Sequence, residues 1–230
     1  MKLTQGHLPQ QNPDAQSLRT ETNMFLLTLT RRTLLMALLL GLGSAWAEDA
    51  PDQFIKRLTA DLLETVKNDA SLKTGDLQKL SQLVDQKIMP HLNFQRMTAA
   101  AVGPAWRQAT PEQRARLQDE FKALLVRTYA GAVSQVKDQS VAIKPMRAGA
   151  QDTEVLVRTE VRGGAEPVAI DYRVEKATDA PAGWRIYNMN VAGIWLVDTY
   201  RTQFGQEINA KGIDGLIATL SERNKSGARK

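Results

Sequence analysis

Cysteine is absent from this 230-residue chain. That excludes disulfide stapling, thiolate metal centres and acylation at an N-terminal cysteine. Only two histidines are present, His7 and His91, so neither a histidine-rich metal site nor a Ser-His-Asp triad assembles readily. His91 lies between Pro90 and Leu92, the setting of a structural histidine at a helix end. No Gly-rich loop follows a strand in phosphate-cradling form; Gly103-Pro104 and Gly163-Gly164 read as turns. A GxSxG elbow is also missing. Asp171 and Tyr172 form a conceivable acid/base pair, but neighbours on a strand point to opposite faces and cannot share one cavity. Aromatics make up 6% of the chain and the formal charge of +5 is not clustered, which argues against nucleic acid as a partner. The apolar run from Leu34 to Leu42 is roughly half the ~20 residues that a transmembrane helix needs.

That run has another reading. Arg31-Arg32 precede it and Ala45-Trp46-Ala47 follow as a small-x-small cleavage site, the pattern of a secretory signal. Residues 24–47 are therefore expected to be a signal peptide cut after Ala47, leaving a periplasmic product. Residues 1–23 are polar and patternless, whereas Met24 leads directly into Phe25-Leu26-Leu27. Met24 is the expected start, and 1–23 an upstream extension that is not native. Thr30-Arg31-Arg32-Thr33-Leu34-Leu35 also resembles a twin-arginine signal, though the ordinary secretory route is the expectation. With 43% apolar residues, positions 48–223 suffice for one domain with its own core. Residues 224–230 read as a disordered basic tail.

The mature chain begins helically. Phe54, Ile55, Leu58, Leu62, Leu63 and Val66 mark a first amphipathic helix, and Leu77, Leu80, Leu83, Val84 and Ile88 a second, starting at Thr74 or Asp76 and stopped at Met89-Pro90. Asn93 is placed to cap a third that ends at Gly103-Pro104. The longest helical pattern runs from Thr110 to about Asp138, opened by a capping box of Thr110 and Gln113 with Pro111 at the first helical position. Its apolar stripe calls for a large partner surface, and the following β-rich segment is the expected partner. After Gln139 the period changes to two. Alternation through Val141–Ile143, Val155–Val161, Val168–Val174 and Trp184–Asn188 predicts a four-stranded antiparallel meander with one apolar and one wet face. A C-terminal helix carries Trp195, Leu196, Thr199, Tyr200, Phe204 and Ile208 on one stripe, with a break at Gly212.

Two passages carry a resemblance. One is Leu92-Asn93-Phe94-Gln95-Arg96-Met97 through Gly103, then Trp106 to Arg114, Phe121, Leu124-Leu125 and Thr128-Tyr129. The other is Tyr172, Gly183-Trp184-Arg185-Ile186-Tyr187, Leu196-Val197, Tyr200 to Phe204 and Gly212 to Ile217. Together they resemble the MlaC-type, or toluene-tolerance, family of periplasmic phospholipid-binding proteins over essentially the whole mature chain. The resemblance implies an α+β fold in which a helical half packs on a curved four-stranded antiparallel sheet like that of nuclear transport factor two, with a lipid cavity between them. It also implies a carrier that moves phospholipid between an outer-membrane lipoprotein–porin complex and an inner-membrane lipid ABC transporter with an MCE-domain subunit. The chain departs from the family at Ala192-Gly193-Ile194-Trp195, where an acidic-Gly-Val-Ser stretch is common.

On that reading the cavity is lined by Phe121, Leu124, Leu125 and Val133 from the long helix. Val155, Val157, Ile170, Tyr172, Val174, Trp184 and Ile186 come from the sheet, and Ile194, Trp195, Leu196, Tyr200 and Phe204 from the C-terminal helix. Filling an ordinary core explains each of them equally well, since a helix–sheet sandwich buries the same positions. Arg173, Arg185 and Arg201 are candidates for a headgroup phosphate. No catalytic residue, metal or cofactor is expected beyond the phospholipid cargo, and the chain is expected to act as a monomer. Two alternatives stay open at this point: a pocket enzyme of the ketosteroid-isomerase kind, and a lipid-free adaptor.

Overall fold

The computed structural model describes residues 50–149, 151–164 and 166–226. The expected signal peptide, its cleavage site, the upstream extension and residues 227–230 lie outside the described residues. Helix α1 (Pro51–Asn68) opens with a proline at its first position and leads through a short turn, Ala70–Thr74, to α2 (Leu77–Leu83). Asp76 caps α2, its carboxylate accepting from the amides of Gln78 and Lys79. The chain then widens into a π turn, Val84–Ile88, and tightens at Met89–His91, where Pro90 ends it. Helix α3 (Phe94–Val102) begins at Asn93, whose side chain accepts from the Arg96 amide. Helix α4 (Pro111–Ser134) starts with the complete Thr110–Gln113 capping box and ends a turn earlier than its pattern suggests.

The sheet has five strands in sequential order: β1 (Ser140–Ile143), β2 (Glu154–Arg162), β3 (Val168–Lys176), β4 (Trp184–Val191) and β5 (Ile194–Trp195), all antiparallel. The fifth corrects the expectation of four. A tight turn at Ala192 and Gly193, both at positive φ (51° and 89°), folds Ile194 and Trp195 back onto β4, so neither belongs to the C-terminal helix. Helix α5 (Leu196–Ser226) starts one residue later and is interrupted at Gly212, whose φ of 72° is out of helical range and suits glycine. It carries on through Asn224–Ser226, residues expected in the tail. The Asn224 side chain donates to the Glu120 carbonyl and carboxylate, 2.9 and 2.8 Å away.

Packing departs from expectation in a second way. The partner of α4 is not the sheet. Phe121 and Leu117 bury themselves against Phe94, Met97, Tyr200, Phe204, Leu216 and Leu220 of α3 and α5, while Val133 and Ala130 pack with Val66, Leu72 and Leu80. The apolar face of the sheet is covered by α1, whose Phe54, Ile55 and Leu58 lie against Val157, Tyr172, Val174, Trp184 and Ile186. Leu92 touches both this cluster and the helical one, and its neighbour Asn93 donates its amide to the Ile186 carbonyl at 2.8 Å. One link of chain thus ties the two cores together.

The polar face of the sheet is not wholly wet either. Arg96 reaches from α3 across it, pairing with Glu154 (2.8 Å) and Glu175 and stacking 3.7 Å above the Tyr187 ring. Tyr187 donates to Glu154 at 2.9 Å and Asn93 to Glu175 at 2.6 Å. Near this clamp β4 carries a bulge: Val174 faces Ile186 but Arg173 faces Asn188 and Tyr172 faces Met189. The extra residue reverses the alternation. Met189 and Val191 therefore turn to the apolar face, and Asn188 and Asn190 to the polar one. Asn188 is buried there, its oxygen accepting from the Val197 amide at 3.2 Å, so β4 caps the first turn of α5.

Candidate functional site

The apolar face of β2–β4 gathers a continuous apolar surface under α1. Val157 and Val174 are fully buried there, with Ile186, Trp184 and Tyr172 nearly so. Around this centre lies a half-buried rim that includes Ile143, Met146, Val155, Ile170 and Met189. Alternation along β2 and β3 puts Val155, Val157, Ile170, Tyr172 and Val174 on one side, and their cross-strand register, such as Val157 opposite Tyr172, brings them into contact. The seven sheet residues expected to line a cavity are all in this cluster or on its rim.

The site is weakly polar. Thr159 is buried and its hydroxyl donates to the Ile170 carbonyl at 2.7 Å. Burial pushes the Tyr172 phenol up to about 12, with Thr159 as its hydrogen-bonding neighbour pulling the other way. Tyr172 is thus neutral at any physiological pH and serves as an apolar body with one satisfied polar tip. His91 lies tilted against Phe54 with ring centroids 5.7 Å apart. Burial holds its pKa below the ordinary histidine value, against the attraction of Asp61. A neutral imidazole beside an apolar cluster is a packing element, as its sequence context indicates.

The remaining expected residues are distributed elsewhere. Phe121, Tyr200 and Phe204, with Leu124 and Leu125 packed on them, belong to the helical core. Val133 packs with the turn after α1, and Leu196 is buried at the start of α5. Ile194 is 55% exposed, while Trp195 projects to the polar face, where the Arg173 guanidinium sits 4.2 Å over its ring. The three arginines are not brought together. Arg173 and Arg185 leave the polar face of the sheet, Arg185 pairing with Asp179 at 3.1 Å, and Arg201 is exposed on α5. Sequence reasoning missed α1 as a wall of this site, together with Leu92, Met146 and Met189. The available signal for α1 was its strong stripe of Phe54, Ile55 and Leu58; no signal in residue type marked Met189, which the bulge carries to this face.

The family model described as MlaC protein matches residues 56–222. This chain belongs to the MlaC family. A curated relative is the intermembrane phospholipid transport system binding protein MlaC of Haemophilus influenzae, 22% identical over 182 residues, which are 78% of this chain and 84% of that protein. A second is the toluene tolerance protein ttg2D of Pseudomonas putida, 23% identical over 192 residues, 82% of this chain and 87% of that one. Among solved structures, a phospholipid-binding protein from Ralstonia solanacearum, determined in complex with a phospholipid, superposes with a TM-score of 0.74 at 49% identity. The match covers 79% of this chain and all of that one. The MlaC fold of this chain is accordingly α+β, with helices packed on an open five-stranded antiparallel sheet. Among the described residues no helix is long and apolar enough to cross a membrane.

Proposed function

We propose that this MlaC-family chain is a periplasmic phospholipid carrier that encloses acyl chains on the apolar face of β2–β4 and makes or breaks no bond. In this reading it exchanges lipid with an outer-membrane lipoprotein–porin complex and an inner-membrane lipid ABC transporter bearing an MCE-domain subunit. The observation that supports it most is the 49% identity, over the full length of the Ralstonia chain, to a protein solved with a phospholipid bound.

Magnitudes agree with the reading. A two-chain phospholipid carries roughly 30 methylenes, and leaving them in water costs on the order of 25 kcal/mol at ~0.8 kcal/mol each. Phe54, Ile55 and Leu58 hold α1 to the sheet with roughly 5–9 kcal/mol of burial, an upper figure. Measured against water, enclosing the tails outweighs the contact given up when α1 parts from the sheet, and the helix face can pack on the chains in turn. Because the tails pass from one apolar surrounding to another, the carrier sets no direction; its partners do.

The test is native mass spectrometry of the chain purified from the periplasm. Mass increments of one or more phospholipids, lost on denaturation, are expected. A ligand-free protein that takes up no dioleoyl phosphatidylglycerol on incubation overturns the proposal and favours a lipid-free adaptor.

A further inference from the structure

The apolar face of the sheet does not stop where α1 stops covering it. Two cross-strand rows continue it to one end of the sheet. In one, Val141 faces Val161 and Val161 faces Val168; in the other, Ile170 faces Val191 and Val191 faces Ile194. Ile170 also packs against the buried cluster, so the strip is continuous with it. Val168 and Ile194, 38% and 55% exposed, are the exposed large aliphatic side chains among the described residues, and both lie on this strip. Ile194 is held in place by backbone that has a cost: Ala192 takes a left-handed φ of 51°, worth about 1–2 kcal/mol against an L residue with a side chain. Trp195, clamped by Arg173 on the other face, anchors the same two-residue strand.

At its β1 end the strip meets a groove of about 430 Å³ between α1 and β1, floored by Thr59, Ala60, Leu63 and Val141. Lys56 and Lys67 stand on its α1 rim, on the same side of the helix and about 16 Å apart along the axis, with Glu64 between them. Lys67 also donates to the Gln139 carbonyl at 3.1 Å. A groove with an apolar floor and a rim of mixed polarity, two ammonium groups outnumbering the Glu64 carboxylate, suits an acyl chain whose headgroup carries a phosphate. It suits a peptide adding to the β1 edge less well, because Lys67 already occupies one backbone acceptor beside that edge.

We infer that the strip and its groove form the mouth of the lipid site, along which acyl chains enter and leave while the phosphate stays at the lysine rim. This rests on the carrier reading. The test exploits the absence of cysteine: Ile194→Cys and Val168→Cys place single thiols on the strip, and Arg158→Cys places one on the opposite face. Maleimide labelling is followed with and without dioleoyl phosphatidylglycerol, occupancy being measured by mass. Bound lipid is expected to slow labelling at 194 and 168 about tenfold, thiol reactivity following exposure, and to leave 158 unchanged. Equal rates with lipid verifiably bound overturn the mouth but not the carrier. Slowing at all three positions, 158 included, also overturns it, since that reports a global change. A chain that binds no lipid removes the carrier reading and the mouth with it.

Discussion

The two larger apolar regions of the molecule are built differently. The helical one is closed by rings: Phe121 stacks on Phe94 at 5.6 Å and meets Tyr200 and Phe204 edge-on at 4.9 and 5.2 Å. Such contacts have fixed geometry and add to burial. The sheet region mixes aliphatic residues with Phe54, Tyr172 and Trp184, is covered by one helix, and is rimmed by half-buried residues that include the flexible Met146 and Met189. A core of interlocked rings resists insertion, and in the proposed carrier it is the single helix resting on the pleated sheet that lifts. Expected lining residues fell in both regions, and the proposed carrier uses the sheet.

The comparison breaks most visibly at its rigid side. Phe121→Ala is expected to cost about 3–5 kcal/mol, read by urea unfolding, and added phospholipid should recover little of it. Phe54→Ala removes a ring of similar size from α1, so the empty protein should lose about 3 kcal/mol. In the loaded protein that loss should shrink, because acyl chain fills the vacated space; melting temperatures with and without dioleoyl phosphatidylglycerol decide it. Equal losses in both states would mean that α1 is as fixed as the helical core. The smallest effect concerns the clamp between the regions. Arg96→Met should cost about 1–2 kcal/mol, since the pairs are partly exposed and add only a stacked guanidinium to ordinary surface strength. Hydrogen bonds from Arg96 and Tyr187 hold the Glu154 carboxyl below the usual glutamate range. That contribution is present above the unfolded value of about 4.3 and is lost as pH falls through the lowered one. Acid-induced loss of stability in that window should therefore flatten in Arg96→Met.

Local chemistry was legible in the sequence. Asp76, Asn93 and the Thr110–Gln113 box cap the helices they were expected to cap, Gly212 interrupts the last helix, and the change of period at Gln139 marks the start of the sheet. Long-range pairing was not. Periodicity says which side of α4 is apolar but not what covers it, so the sheet was assigned to the longest stripe rather than to α1. The bulge beside Tyr187 was illegible for a related reason: alternation is read from residue type, and an inserted residue shifts parity without announcing itself. Met189 and Val191 accordingly went unnoticed, and with them the continuity of the face that reaches Ile194. The headgroup arginines were chosen by charge alone, and charge carries no information about the side of the sheet.

Helix α1 is the earliest element in the chain of those described, and the strands it covers come roughly a hundred residues later. As the chain emerges from its N-terminus, Val66 of that helix finds Leu72, Leu80 and Ala130 early. Phe54, Ile55 and Leu58 lack their sheet partners until the β2–β4 meander is complete, and pairings so distant in sequence are slow to form. Docking of that face is then a late event in maturation, completed onto an already assembled half. In the proposed carrier, the face that settles last in folding is also the one that parts when cargo arrives.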